Sequence, residues 1–160
     1  MAEEKELAIR FAKKYLEDLL SFFGLNTEVY ATAEEDVIEL HVPSTQLNAF
    51  LIGHNGENLR ALQFLVMSAL KNSQHALSRV SVDIAEYKKQ RSDRLIQAAQ
   101  AWLEKVKNTG KPMELEPMSP ADRRTVHKVA GEQGLTTESV GEGRERHIVL
   151  KPTSEKSAEK

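Results

Sequence analysis

The chain contains no cysteine. That excludes a disulfide framework, a thiol nucleophile and thiolate metal sites, and it fits a reducing compartment. No apolar run approaches the roughly 20 residues that span a bilayer. The opening Met1-Ala-Glu-Glu-Lys-Glu is acidic and lacks the apolar stretch of a signal peptide, so a cytoplasmic protein without membrane insertion is expected. Neither sign of charge is in surplus: 22 Lys and Arg face 24 Asp and Glu, a net of -2. Such a chain does not wrap nucleic acid by bulk electrostatics. The five histidines, His41, His54, His75, His127 and His147, show no metal-ligand spacing such as His-x-x-x-His. No phosphate-binding lysine loop is present, and no nucleophile sits in a motif. Neither a metal, a cofactor nor a catalytic site is expected.

What the chain does have is an uneven distribution of charge. Residues 1–85 carry 7 Lys and Arg against 12 Asp and Glu, a net of -5; residues 86–150 carry 12 against 10, a net of +2; the last ten carry 3 against 2. A polyanion must therefore be held by local geometry and a few placed cations. With 160 residues, 40% of them hydrophobic, the chain can build one medium domain or two small ones.

Leu7, Phe11, Tyr15, Leu19 and Phe22 recur as a helical stripe between Glu4 and Phe23, and Gly24 stands where a C-cap belongs. Strands are expected over Thr27–Thr32 and Val37–Val42 around an acidic turn, the second alternating Ile38, Leu40 and Val42 with Glu39 and His41. Pro43-Ser44 stops it and caps a short helix running through Leu51. After Gly53-His54-Asn55-Gly56 a strong helix carries Leu59, Leu62, Val66 and Leu70 on one face, and a strand follows over Arg79–Ala85. A long amphipathic helix spans about Glu86 to Lys107, with Leu95, Ala99, Trp102 and Val106 apolar. Met113–Leu115 reads as a short strand. Ser119-Pro120-Ala121-Asp122 opens a helix that Gly131 closes. A hairpin of Leu135–Val140 and Arg144–Leu150 turns at Gly141-Glu142-Gly143.

Two glycines three apart are compatible with an ordinary helical corner. Their context suggests more: the loop precedes a helix N-terminus, where free N–H groups and the dipole favour an anion. Glycine at both ends lets a sugar-phosphate chain approach the backbone. His54 and Asn55 at the tip can donate hydrogen bonds, and Arg60 lies one turn on, with Lys71 and Arg79 beyond. Ile52 and Leu59 suit either a groove for unstacked bases or the core.

The segment Ile52-Gly-His-Asn-Gly-Glu-Asn-Leu-Arg-Ala-Leu-Gln-Phe-Leu-Val66 resembles the signature of a type II KH domain, in the form found in the bacterial Jag family (SpoIIIJ-associated proteins). The resemblance implies that Gly53 to Gly56 clamp about four nucleotides of a single strand. Neither His54 nor Asn55 is a fixed cation, a departure from the commonest pattern, so phosphate affinity at the loop is expected to be modest.

Arg123 and His127 stand at i and i+4 on the helix capped by Ser119, with Arg124 and Lys128 one step round. Scattered surface charge would look the same; a cationic stripe able to grip phosphate oxygens is the alternative. Arg144, Arg146 and His147 on the last strand would extend it. Glu116-Pro-Met-Ser-Pro-Ala-Asp-Arg-Arg-Thr-Val-His127, with Thr136 to Gly143, resembles the R-three-H domain that follows the KH domain in the Jag family. The resemblance implies that Arg123 and His127 contact the backbone of a single-stranded nucleic acid.

The expectation is an α+β protein: a type II KH domain over residues 1–85, an R-three-H domain over 86–151 entered by a long connecting helix, and a disordered tail over 152–160. Its expected function is binding of single-stranded RNA through Gly53, His54, Asn55, Gly56 and Arg60 and through Arg123, Arg124 and His127, with Ile52 and Leu59 lining a groove. The competing readings are a single-stranded DNA binder and a protein-interaction scaffold tied to envelope or division functions. The family also suggests another small KH protein as a partner.

Overall fold

The computed structural model describes residues 2–153. It divides after Lys88 into two compact units, and both are mixed α/β, helices packed on a small three-stranded sheet.

In the first unit the order is α1 (Ala2–Phe22), β1 (Tyr30–Glu34), β2 (Val37–Val42), α2 (Asn48–Ile52), a single 3-10 turn (His54–Gly56), α3 (Glu57–Asn72) and β3 (Arg79–Ile84). β1 and β2 form an antiparallel hairpin in which Glu34 faces Val37. β3 lies parallel on the other side of β2, so α2 and α3 form the crossover that a parallel pair requires. The register sets Ile38, Leu40 and Val42 beside Val80, Val82 and Ile84, and all six side chains are buried. Leu59, Leu62, Val66 and Leu70 of α3 close over them. Burying a leucine is worth about 1.5–3 kcal/mol, so this layer contributes substantially to the unit's stability.

The first helix buries a different face from the one expected. Ala8, Ala12, Leu16 and Leu20 are fully buried, whereas Leu7 is 56% and Phe22 84% exposed. Ala8 to Leu20 repeat every four residues, as Leu7 to Leu19 do; the alanines let the helix axis come close to the sheet, and Phe11, Tyr15 and Leu19 pack along the flank. β1 also starts later than expected, at Tyr30, because its partners run from Val37 to His41. Ser44 caps no helix. Leu47 precedes α2 without a side-chain cap, while Asn48 ties the turn together, accepting from Thr45 N at 2.8 Å and donating to Ser44 Oγ at 2.8 Å.

The second unit comprises α4 (Tyr87–Thr109, starting just before the division), β4 (Met113–Glu114), α5 (Pro120–Glu132), β5 (Thr136–Val140), a 3-10 turn (Gly143–Glu145) and β6 (His147–Lys151). The sheet order is β4-β6-β5, antiparallel throughout, which leaves β5 at an edge. Its core joins Ala99, Leu103 and Val106 of α4 to Val126, Val129 and Ala130 of α5 and to Ile148 and Leu150. α5 begins as expected: Ser119 Oγ accepts from Asp122 N at 3.2 Å and Pro120 takes the first helical position. It runs through Gly131 to Glu132 rather than stopping there. Arg144 and Arg146 lie in the link between β5 and β6, not on a strand, because residues 143–145 curl into the 3-10 turn before His147 pairs with Val140. Of the expected disordered tail, all beyond Thr153 lies outside the described residues. Among the described residues no helix is long and apolar enough to cross a membrane.

Candidate nucleic-acid interface

The Gly-x-x-Gly segment is a sharp corner between α2 and α3. Gly53 adopts φ 70°, ψ -177°, a region essentially reserved for glycine. Gly56, at φ 77°, ψ 21°, is left-handed, and Asn55 between them is left-handed too, at φ 51°. His54 and Asn55 are exposed at the tip while Gly56 is buried. Two of the loop's N–H groups are already used: Gly56 N donates to Gly53 O at 3.3 Å, and Glu57 N to His54 O. The Asn55 amide lies 3.1 Å from His54 Nε2.

Two residues brace this corner. A Cβ on Gly53 would stand 2.8 Å from Asn58 Cγ, and one on Gly56 3.1 Å from the Tyr87 ring. Asn58 in turn donates to Phe50 O at 2.7 Å, linking α3 back to α2 across the loop. Neither Asn58 nor Tyr87 was foreseen from the sequence. An asparagine two residues after a glycine is an ordinary surface polar residue until the fold brings it onto Gly53. Arg60 commits one guanidinium N–H to Asn55 O, at 2.9 Å, so it steadies the loop and keeps its other donors.

Of the two residues assigned to the groove, Leu59 is only 4% exposed and belongs to the core, and Ile52 is half-buried against that core. The open apolar hollow beside the loop is a different one. About 300 Å³ in size, it is lined by Phe23, Phe50, Ala61 and Leu65 above Leu51 and Leu62, with Asn58 at its rim. Phe23 and Phe50 meet edge to face, 5.3 Å between centroids.

In the second unit, Arg123 and His127 lie on the flank of α5, each partly buried. Arg123 Nη1 donates to Met118 O at 2.8 Å, and His127 Nδ1 lies 2.5 Å from Thr137 Oγ1 on β5. Arg124 and Lys128 sit one step round the helix, Arg124 exposed. Asp122 completes no reciprocal capping box; its carboxylate binds Arg91 Nη2 at 2.7 Å, tying α5 to α4. His147 sits on the outer face of the sheet. Its Nδ1–H is accepted by Glu145 O at 2.8 Å, and its Nε2 is 2.6 Å from Glu114 Oε1. That second contact is close but makes no hydrogen bond, so Glu114 acts on the ring as a nearby charge. The Glu145 carbonyl raises the imidazole pKa above its ordinary value, partial burial opposes the rise, and Glu114 adds to it. His147 therefore serves the sheet and does not join Arg123 and His127. Among the described residues no His, Asp or Glu group is arranged to hold a metal ion.

A helix capped by serine and proline, carrying an Arg-x-x-x-His on one flank of an antiparallel sheet, defines a class: residues 93–152 match the R-three-H domain family. The similarity extends over nearly the whole chain. The RNA-binding protein KhpB of Bacillus subtilis is 30% identical over 150 residues, 92% of this chain and 72% of that protein. KhpB of Clostridium symbiosum is 29% identical over 93% of this chain and 68% of its own length. KhpB of Lactiplantibacillus plantarum, 28% identical, is matched over 45% of its length. The chain belongs to the Jag family, that of the KhpB proteins.

Proposed function

We propose that this protein binds single-stranded RNA at two local sites and catalyses no reaction. The first is the Gly53–Gly56 corner. Its exposed His54 and Asn55, with Arg60 behind them, meet the sugar-phosphate backbone, and the first unit acts as a KH domain of type II. The second is the flank of α5, where Arg123 and His127 contact phosphate and Arg124 adds charge. In this reading residues 1–85 and 86–151 are the two functional domains. The observation that carries it is the corner itself: two glycines in conformations that disfavour other residues, bracing an exposed polar tip. Packing against Asn58 and Tyr87 already calls for glycine here; the exposed tip between the two glycines adds a surface that a sugar-phosphate backbone can approach closely. The α-β-β-α-α-β order and the names of the relatives support the same reading. The compartment that fits is the cytoplasm, and the role that fits is a post-transcriptional regulator or RNA chaperone.

Titration of a labelled single-stranded RNA with the full chain, in low and in physiological salt, tests the proposal. Matched single-stranded DNA is the competitor. Binding that weakens with salt and resists the DNA competitor supports it; equal competition moves the reading to single-stranded nucleic acid in general. No binding at low salt, where phosphate contacts are strongest, overturns it.

A second reading concerns a partner. Phe23, Phe50 and Leu65 are exposed around one apolar hollow on the first unit, a surface that suits another small KH protein. Light scattering after size exclusion, with and without such a protein, reads this directly; an unchanged mass sinks it.

A further inference from the structure

β5 is an edge strand of the second sheet, and two hydroxyls along it hold a histidine and an arginine side chain. Thr137 and Ser139 share the face whose register partners, Leu150 and Ile148, are core. They are therefore turned toward α5 and only partly exposed, between exposed Thr136, Glu138 and Val140. Thr137 holds the His127 ring. Two residues on, about 7 Å along the strand, Ser139 Oγ accepts from Arg146 Nε at 3.0 Å. A second set of contacts joins Arg146 to the same helix: its carbonyl receives Met118 N at 3.4 Å, and the Met118 carbonyl receives Arg123 Nη1. Arg123, His127 and Arg146 thus gather along one edge of the unit. The carboxylate on β5, Glu138, alternates to the opposite face and is taken by Lys151.

Arg146 is exposed and has no carboxylate partner among the described residues. Its Nε is committed to Ser139, which fixes the plane of the guanidinium and leaves the terminal N–H groups to bind. An arginine so held suits two-point recognition of phosphate oxygens. A serine and a threonine two residues apart on one strand, one orienting an arginine and the other a histidine, present phosphate ligands at a spacing suited to successive phosphates of an extended strand.

We propose that Arg146, steadied by Ser139, binds phosphate on the same surface as Arg123 and His127, so that the free edge of β5 takes the sugar-phosphate backbone of single-stranded RNA. Arg146 is the contacting residue and Ser139 a positioning residue. The inference rests on the RNA-binding reading and extends it.

The test uses the full chain and an oligouridylate, with affinity measured across a series of salt concentrations. Each phosphate contact on a single strand contributes about 0.7 to the slope of log K against log salt. Arg146→Gln is expected to weaken binding and to flatten the slope by about that amount. Ser139→Ala keeps the cation, so it weakens binding less and leaves the slope alone, and the double variant is no weaker than Arg146→Gln. Lys105→Ala, removing an exposed cation elsewhere on α4, leaves the slope unchanged. Thermal unfolding of each variant separates folding from binding. If the wild type binds and Arg146→Gln matches it in affinity and slope, this site is wrong and the RNA reading survives. The site is equally wrong if Lys105→Ala flattens the slope as much, or if the Ser139 and Arg146 losses simply add. A wild type that binds no RNA removes both.

Discussion

Replacing Gly53 by alanine tests whether the loop corner is held as tightly as its geometry says. The native φ 70°, ψ -177° costs a non-glycine residue about 1–3 kcal/mol. The new Cβ also lands 2.8 Å from Asn58 Cγ and 3.0 Å from Asn58 N. The side chain can swing away, but only by giving up its 2.7 Å bond to Phe50 O, a loss of about 1 kcal/mol. The backbone N cannot yield without moving the start of α3. The two terms together come to about 2–4 kcal/mol, about 10 °C or more in Tm for a domain of this size. Gly56→Ala is the comparison. Its left-handed conformation costs about 1–2 kcal/mol, and the Tyr87 ring 3.1 Å away is a side chain that can shift. Thermal unfolding followed by far-ultraviolet circular dichroism should therefore rank Gly53→Ala below Gly56→Ala, and both below wild type. A Gly53→Ala protein within about 3 °C of wild type, or more stable than Gly56→Ala, would refute the reasoning.

Leu59→Ala should cost about 2–4 kcal/mol as a core truncation, since Leu59 is 4% exposed, and half-buried Ile52→Ala clearly less; urea unfolding reads both, and equal losses would put Leu59 outside the core. Asp122→Ala removes the carboxylate that binds Arg91 and should cost about 1–2 kcal/mol given the partial burial of the pair, visible in the unfolding of the second unit through Trp102 fluorescence. The raised pKa of His147 makes stability depend on pH. The folded state favours the imidazolium, so this contribution is complete below the unfolded value of about 6.5 and is lost as pH rises through the higher folded value. Tm measured across that window should fall with rising pH in wild type and fall less in His147→Asn; Glu114→Gln should retain part of the effect, because the Glu145 carbonyl is the larger cause. Identical pH profiles for wild type and His147→Asn would count against it.

The sheet of the first unit was legible because its alternation is clean: Ile38, Leu40, Val42 and Val80, Val82, Ile84 point inward as their spacing requires. The same was true of α3 and of the Ser119 cap. The first helix was misread by one position because two apolar stripes run side by side, and hydrophobicity alone prefers Leu7 and Phe22 to Ala8 and Ala12. Only the closeness of helix and sheet makes the alanines the better choice. In the second unit the bond between His127 and Thr137 spans ten positions, and that between Arg146 and Ser139 seven. Contacts of that kind depend on strand register and have no local signature. The placement of Arg146 on a strand failed for a related reason: Gly141 and Gly143 allow a longer link than a tight hairpin turn.

The most direct test of the central claim puts negative charge at the loop tip. His54→Asp with Asn55→Asp changes two exposed side chains and leaves both glycines and the brace at Asn58 in place. Affinity for single-stranded RNA is measured for this protein, for Arg123→Ala with His127→Ala, and for wild type. The account predicts that the loop variant keeps the wild-type unfolding transition. The Arg123 and His127 variant, which loses the bonds to Met118 and Thr137, should melt somewhat lower but still fold, and both should bind more weakly. A loop variant that folds and binds RNA as wild type does would contradict it.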